Sequence, residues 1–266
     1  MAPAADRTTA RAVAIEAAMA GGRAALRHFR RADLAVEWKA DESPVTVADR
    51  EAEAAIRDAV LSAFPDDGWI GEETGTTPGR SGRRWIVDPI DGTRNFVRGI
   101  PLWSTLVACE EDAPGGPRII AACANFPALG ECYDAMLGGG ARCNGQRIAV
   151  SSVARLEDAL FCYYTFEWFR RYKLEAVFRD LSARSAVQRG GGDAYMHLLV
   201  ASGRAEIAVE PGLQVWDIAA TSLIVSEAGG RVTTLDGRND LRAGDALLSN
   251  GALHNEVVAV VLRLRE

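Results

Sequence analysis

The stretch WIVDPIDGTRNF, Trp85 to Phe96, constrains this chain more than any other. A hydrophobic run suited to a buried strand ends directly in Asp88 and Asp91, with a proline and an isoleucine between them and Gly92-Thr93 immediately after. Asp, Pro and Gly are ordinary turn residues, so a solvated turn is the simple explanation. A mere turn, however, does not call for two acids with an apolar residue between them. The alternative is a multiply charged group at that point, and it requires partners from the rest of the chain.

Such partners exist. Asp49 in TVAD stands at the start of a helix, Glu72 and Glu73 follow a strand and a glycine in GWIGEE, and Asp217 in VWDIAA stands at the mouth of a helix. Each lies where a strand or loop meets the next element, which is where sites concentrate on layered folds. Taken singly, Asp49 and Asp217 are accounted for by the helix macrodipole, worth roughly 0.3–1 kcal/mol, and the glutamates by solvation. Taken together they are restrictive. Carboxylates within a few ångströms raise one another's pKa or hold a cation between them. Oxygen ligands select hard divalent ions, Mg²⁺ before others. Gly92 then permits close backbone approach, and the amides of Gly92 and Thr93 can point at an anion where a helix begins. Thr93 adds a hydroxyl within reach of an attacking water.

Carboxylates, Mg²⁺ and an amide-lined anion pocket describe phosphoryl chemistry. The chain has no GxxxxGK[ST] loop and no kinase signature, so water is the expected acceptor. No G-x-G-x-x-G turn follows a strand, which leaves a dinucleotide-dependent oxidoreductase without support. A net charge of −6 argues against nucleic-acid and anionic-membrane partners. It does not argue against a small anion, because a local cation reverses the field at a site. The five cysteines, at 109, 123, 132, 143 and 162, form no CxxC pair and have no nearby histidine, so neither zinc nor redox chemistry is expected. An odd cysteine count without a secretory signal fits reduced thiols in a cytoplasm. No apolar run approaches the ~20 residues of a membrane span.

With 266 residues, 48% hydrophobic and 25% charged, the chain can form one large globular domain or two lobes. The N-terminus reads as a docked amphipathic helix with Ile15, Met19, Leu26 and Phe29 on its buried face. Pro44 and the residues after it read as a loop, and Ile56, Val60 and Phe64 mark a helix stopped by Pro65. GWIGEE, RRWIVD, LWSTLVACE and RIIAACANF read as strands, TGTTPGRSG as a flexible connection and LGGGARCNGQRIAVSSV as a hairpin. Past Ser151 helical and strand-like segments alternate. The expected organisation is an α+β lobe over 1–150 with most of the metal ligands, and an α/β lobe over 151–266 with substrate contacts and one metal ligand.

GEE, WIVDPIDGTRNF and VWDIAATSLIVSEAGG, in this order and spacing, resemble the inositol monophosphatase-like family of metal-dependent, lithium-sensitive phosphatases. The resemblance extends over nearly the whole chain, including SPVTVAD and GARCNGQRIAVSS. It implies an α/β fold of the layered αβαβα type, commonly a homodimer, with two or three Mg²⁺ ions. By resemblance, Glu72, Asp88 and the Ile90 carbonyl hold a first metal, and Asp88, Asp91 and Asp217 a second. Gly92 and Thr93 contact phosphate, Asp49 works with Thr93 around the attacking water beside Glu72, and Glu210 meets the substrate hydroxyls. Arg94 in DGTR and Asp193 in GGDAY depart from the usual inositol pattern and look like the histidinol-phosphatase branch. The resemblance thus implies a cytoplasmic phosphomonoesterase for L-histidinol phosphate, whose ammonium and imidazole would meet Asp193 and Glu210. An inositol-1-monophosphatase is the alternative enzyme, and a silent metal- or phosphate-binding regulator the alternative without catalysis.

Overall fold

The computed structural model of the protein describes residues 4–38 and 44–265; Ser43, the first residue of the SPVTVAD segment, lies outside them. The first half runs α1 (Ala4–Leu26), β1 (Val36–Trp38), β2 (Pro44–Thr46), α2 (Val47–Ala63), β3 (Gly68–Gly71), β4 (Gly75–Thr77), β5 (Arg83–Asp91) and α3 (Thr93–Val97). It continues through β6 (Ser104–Glu111), β7 (Arg118–Phe126), β8 (Glu131–Met136), β9 (Gly140–Cys143) and β10 (Gln146–Arg147). Eight of these strands form one sheet in the order β10-β9-β8-β7-β6-β5-β3-β4, antiparallel except where β3 runs beside β5.

The second half runs β11 (Leu160–Tyr163), α4 (Phe166–Arg171), α5 (Glu175–Arg184), β12 (Val187–Gly190), α6 (Ala194–Ala201) and β13 (Ile207–Pro211). It closes with α7 (Val215–Glu227), β14 (Arg231–Thr233), β15 (Asp245–Ser249) and α8 (His254–Leu264). Its sheet has the order β12-β11-β13-β15-β14. Helices α1 and α2 cover one face of the large sheet, α6 and α7 lie between the two sheets, and α5 and α8 cover the far face of the small one. This is the αβαβα sandwich, with a helix layer on every sheet face. Because both faces of the large sheet are covered, β6 and β7 are buried almost throughout and carry no polar alternation.

Helix α1 buries a different face from the one its large apolar residues suggest. Met19 and Leu26 are exposed, Ile15 is half-buried, and Phe29 lies beyond the helix end, against Phe96 and Trp103. The buried face is Ala10, Val13, Ala14, Ala17, Ala18, Gly21, Ala24 and Ala25. Small residues let α1 approach α2 and the sheet closely. A Cβ at Gly21 would fall 2.6 Å from a carbon of Ile56, and one at Gly22 2.3 Å from the Asn125 amide.

Three other local readings change. Pro44–Thr46 is a strand because residues 36–38 supply a partner, a pairing invisible in the segment itself. Within TGTTPGRSG, Gly75–Thr77 pairs as an exposed edge strand on β3. The segment ECYDAM, to which no element was assigned from sequence, is β8 and joins β7 to β9. Among the described residues no helix is long and apolar enough to cross a membrane.

Candidate active site

The site begins with an irregularity in β5. Residues three apart on a regular strand face opposite sides of the sheet. Here Asp88 pairs with Leu106 but Asp91 pairs with Ser104, so three steps on β5 oppose two on β6. The extra residue is accommodated where Pro89 has no N–H to donate, as expected of proline in a strand, and Thr105 Oγ1 donates to the Pro89 carbonyl at 2.9 Å. The bulge brings both aspartates to one side. Asp217, in the first turn of α7, joins them: one oxygen from each of Asp88, Asp91 and Asp217 lies within 4.8 Å of the other two.

Glu72 enters from the parallel neighbour. Its backbone N–H donates to the Val87 carbonyl at 3.2 Å, and its carboxyl is within hydrogen-bonding reach of Asp88. The loop after it is held by Glu53, a fully buried side chain on α2. Glu53 accepts from the amides of Glu73 at 2.8 Å and Thr74 at 3.0 Å. Gly71 is required by the same contact, since a Cβ there would lie 2.3 Å from Glu53 Oε1.

After Asp91 the chain turns through Gly92, at φ 83°, where a Cβ would meet the Leu102 carbonyl at 3.0 Å. Thr93 then opens α3, and its hydroxyl donates to the Ile90 carbonyl at 2.9 Å. Asp91 accepts from the Ala194 amide at 2.9 Å, which ties the end of β5 to the start of α6. Asp193 sits just before that helix at a positive φ of 46° with ψ −134°, and its Oδ2 accepts from Asn95 Nδ2 at 2.8 Å. Asn95 also donates to the Leu102 and Gly191 carbonyls, so it locks the segments on both sides of the pocket.

The pocket brings together Glu72, Asp88, Ile90, Asp91, Gly92, Thr93, Arg94, Asp193, Glu210 and Asp217. Arg94 stands exposed at the rim. Tyr164 and Trp168, with ring centroids 6.2 Å apart, form an aromatic wall. Asp49 is placed differently: it is buried at the start of α2, where its Oδ2 accepts from the Thr46 amide and hydroxyl, both at 2.8 Å. Its Oδ1 has no hydrogen-bond partner. The hydroxyl on Asp49 is therefore that of Thr46, while Thr93 is turned to Ile90.

The sequence model of the inositol monophosphatase family matches residues 6–266. The chain belongs to the inositol monophosphatase family. A histidinol-phosphatase of Chlorobaculum parvum is 41% identical over 250 residues, which covers 94% of this chain and 95% of that one. An inositol-1-monophosphatase of Mesorhizobium japonicum is 37% identical over 253 residues, covering 92% and 91%. Among solved structures, the extragenic suppressor protein SuhB of Bartonella henselae superimposes with a TM-score of 0.88 at 32% identity, covering 95% and 98%. The chain shares its fold with that solved structure, and this member of the inositol monophosphatase family is a phosphatase.

The inositol monophosphatase family is generally metal-dependent, and the charges of this member fit a cation. Burial first, and then neighbouring carboxylates, push Asp88, Asp91 and Asp217 well above the usual carboxylate range. Asp88 Oδ1 is buried with no hydrogen-bond donor. An orphaned acceptor among like charges is what a divalent ion satisfies, and the all-oxygen set suits a hard one. Burial likewise raises Asp49, to about 7, against the opposing hydrogen bonds from Thr46. Asp193 is raised by burial and by Glu210 and Asp217, with Arg94 pulling the other way.

Several residues of the phosphatase pocket escaped the sequence reading. Tyr164 and Trp168 lie in a stretch without a motif, and Asn95 and Glu53 act through backbone contacts no pattern encodes. His197 lies in the apolar helix sequence AYMHLLVA, where a lone polar residue was the available signal.

Proposed function

We propose that this phosphatase hydrolyses L-histidinol phosphate to L-histidinol and phosphate, using Mg²⁺ held by Glu72, Asp88, the Ile90 carbonyl, Asp91 and Asp217. The observation that carries the reading is what lines one pocket. Asp88, Asp91 and Asp217 converge in it, and Asp193, Glu210, Tyr164 and Trp168 line it beside them. A leaving group with an ammonium and an imidazole suits that second set, since carboxylates accept from both and aromatic faces favour cations. The 41% identity to a histidinol-phosphatase supports it. The resemblance also brings a cytoplasmic setting, two or three bound ions and a homodimer into the proposal.

Bound Mg²⁺ supplies Lewis acidity toward phosphate oxygens and makes a nearby water more acidic. The chain's own residues do the rest. The amides of Gly92 and Thr93, at the start of α3, bind phosphate oxygens. The Thr93 hydroxyl and the carboxylate of Glu72 orient the water for in-line attack on phosphorus. By the family resemblance, Asp49 is the acid that works with Thr93 around this water. Asp193 and Glu210 hold the alcohol that leaves, and Arg94 at the rim balances their charge.

Phosphate release over histidinol phosphate, inositol phosphate, fructose bisphosphate and adenosine bisphosphate, with and without Mg²⁺, tests the reading. Histidinol phosphate should give the highest kcat/KM. A preference for inositol phosphate would move the chain to the inositol-1-monophosphatase reading, for which the 37% identical relative speaks. Absence of turnover on every ester, p-nitrophenyl phosphate included, would leave a silent metal- or phosphate-binding regulator.

A further inference from the structure

His197 does not belong where it is found unless its ring has work to do. It lies on α6 among Ala194, Met196, Leu198, Val200 and Ala201, all buried, and is itself only 1% exposed. Both ring nitrogens are engaged. Nε2 lies 2.7 Å from Glu210 Oε2, on β13, and Nδ1 lies 3.0 Å from Thr221 Oγ1, on α7. The Thr221 hydroxyl is also 3.3 Å from the Ile218 carbonyl, one turn back in the same helix. The ring therefore joins three elements that meet at the pocket, and His197 and Glu210 both line it.

We infer that His197 is a positioning residue: it holds Glu210 in the orientation that receives a cationic leaving group, and so sets the preference for amine-bearing phosphomonoesters. A carboxylate accepts and cannot donate, so the proton between the pair belongs on Nε2. Nδ1 then accepts from Thr221, or donates to it while the threonine hydroxyl turns to Ile218. In both arrangements the ring is fixed at two points and cannot flip. A flexible glutamate free to take several rotamers would lose that freedom on meeting each substrate. With Oε2 clamped from behind, the loss is taken on folding, and the remaining lone pairs stay directed for the leaving group. The inference rests on the reading that Glu210 faces the alcohol portion of the substrate.

The test compares His197→Phe, which keeps an apolar ring without the donor, with His197→Gln, which restores an N–H near the Nε2 position. The quantity read is kcat/KM for histidinol phosphate divided by that for p-nitrophenyl phosphate, both with Mg²⁺ on the full chain. The ratio should fall about tenfold in H197F, the loss of one well-placed hydrogen bond, and recover by at least half of that, on a logarithmic scale, in H197Q. Glu210→Gln should lower the ratio as well, and H197F added to E210Q should lower it little further, because the two residues act as one unit. A residue needed only for packing would lower the melting temperature and leave the ratio unchanged, which overturns the inference. Should H197F fail to fold, the H197Q and E210Q pair decides: additive losses overturn the coupling, and non-additive ones sustain it. A wild-type chain with no preference for histidinol phosphate overturns both the substrate reading and the inference. A wild-type preference retained in H197F overturns the inference alone.

Discussion

Two sets of carboxylates line the pocket, and they meet the problem of buried charge in different ways. In the first, Asp88 keeps a buried oxygen with no donor, and Asp88, Asp91 and Asp217 crowd within 4.8 Å. In the second, Glu210 is clamped by His197 and Asp193 is held by Asn95. The first set keeps an unmet acceptor at Asp88, although Asp91 accepts from the Ala194 amide and Asp217 from the Gln214 amide; in the second, both carboxylates have side-chain partners within the chain. Carboxylates left frustrated by the fold suit a metal, and carboxylates oriented by the fold suit recognition.

The contrast is broken most decisively at Asp88. Asp88→Asn removes a charge from the crowded cluster, so activity should drop by on the order of a hundredfold or more. The same variant should melt no lower than wild type in chelator, because it relieves repulsion, and should lose most of the Mg²⁺-induced rise in Tm. Near-normal turnover, or an undiminished Mg²⁺ shift, would remove the metal from this cluster.

Thr93→Val and Glu72→Gln probe the water beside the same carboxylates. Both should lower kcat by about a hundredfold, the lower range for proton-handling groups, with KM for histidinol phosphate changed little. A raised KM with wild-type kcat would assign these residues to uniform binding.

The second set is tested by Asp193→Asn, a mild change because asparagine matches aspartate in size and its amide oxygen can still accept from Asn95. A charge-assisted hydrogen bond is worth roughly 1.5–3 kcal/mol, so kcat/KM for histidinol phosphate should fall about ten- to a hundredfold. Cleavage of p-nitrophenyl phosphate, which has no amine, should change far less. Equal losses on the two substrates would make Asp193 a structural residue and erase the distinction between the two sets.

The smallest effect is on pH dependence without metal. Asp49 has a folded-state pKa of about 7 against an ordinary 3.8. Between those values the folded chain holds more protons than the unfolded one, so stability falls as pH rises from about 4 to about 7. Asp88, Asp91, Asp193 and Asp217 are shifted in the same direction. The Tm of chelated protein should therefore decline from pH 5 to pH 8, and Asp49→Asn should flatten that decline by a few degrees, at about 2–4 °C per kcal/mol for a chain this size. An identical slope in D49N would show that Asp49 does not titrate there.

The strands RRWIVD, LWSTLVACE and RIIAACANF were legible because long apolar runs bounded by turn residues have few other uses. The convergence of Asp88, Asp91 and Asp217 was legible for a related reason: acids at element boundaries are conspicuous against their apolar surroundings. The buried face of α1 was not legible, since alanine and glycine carry little hydrophobic signal although they permit the closest packing. Nor was β2, whose partner comes from a separate segment.

By itself, then, the order of residues determined which side chains could do chemistry: carboxylates after strands, a glycine and threonine after the second aspartate, further acids along the chain. These depend on local pattern, and local pattern is written in the chain. Only the tertiary structure decided how each was held. The bulge at Pro89 turned Asp88 and Asp91 to one side, Glu53 fixed the loop after Glu72, Thr46 rather than Thr93 took the hydroxyl bond to Asp49, and His197 reached across two elements to clamp Glu210. Those contacts join residues that separate elements bring into register, and their hydrogen bonds form only after the sheets and helices have packed.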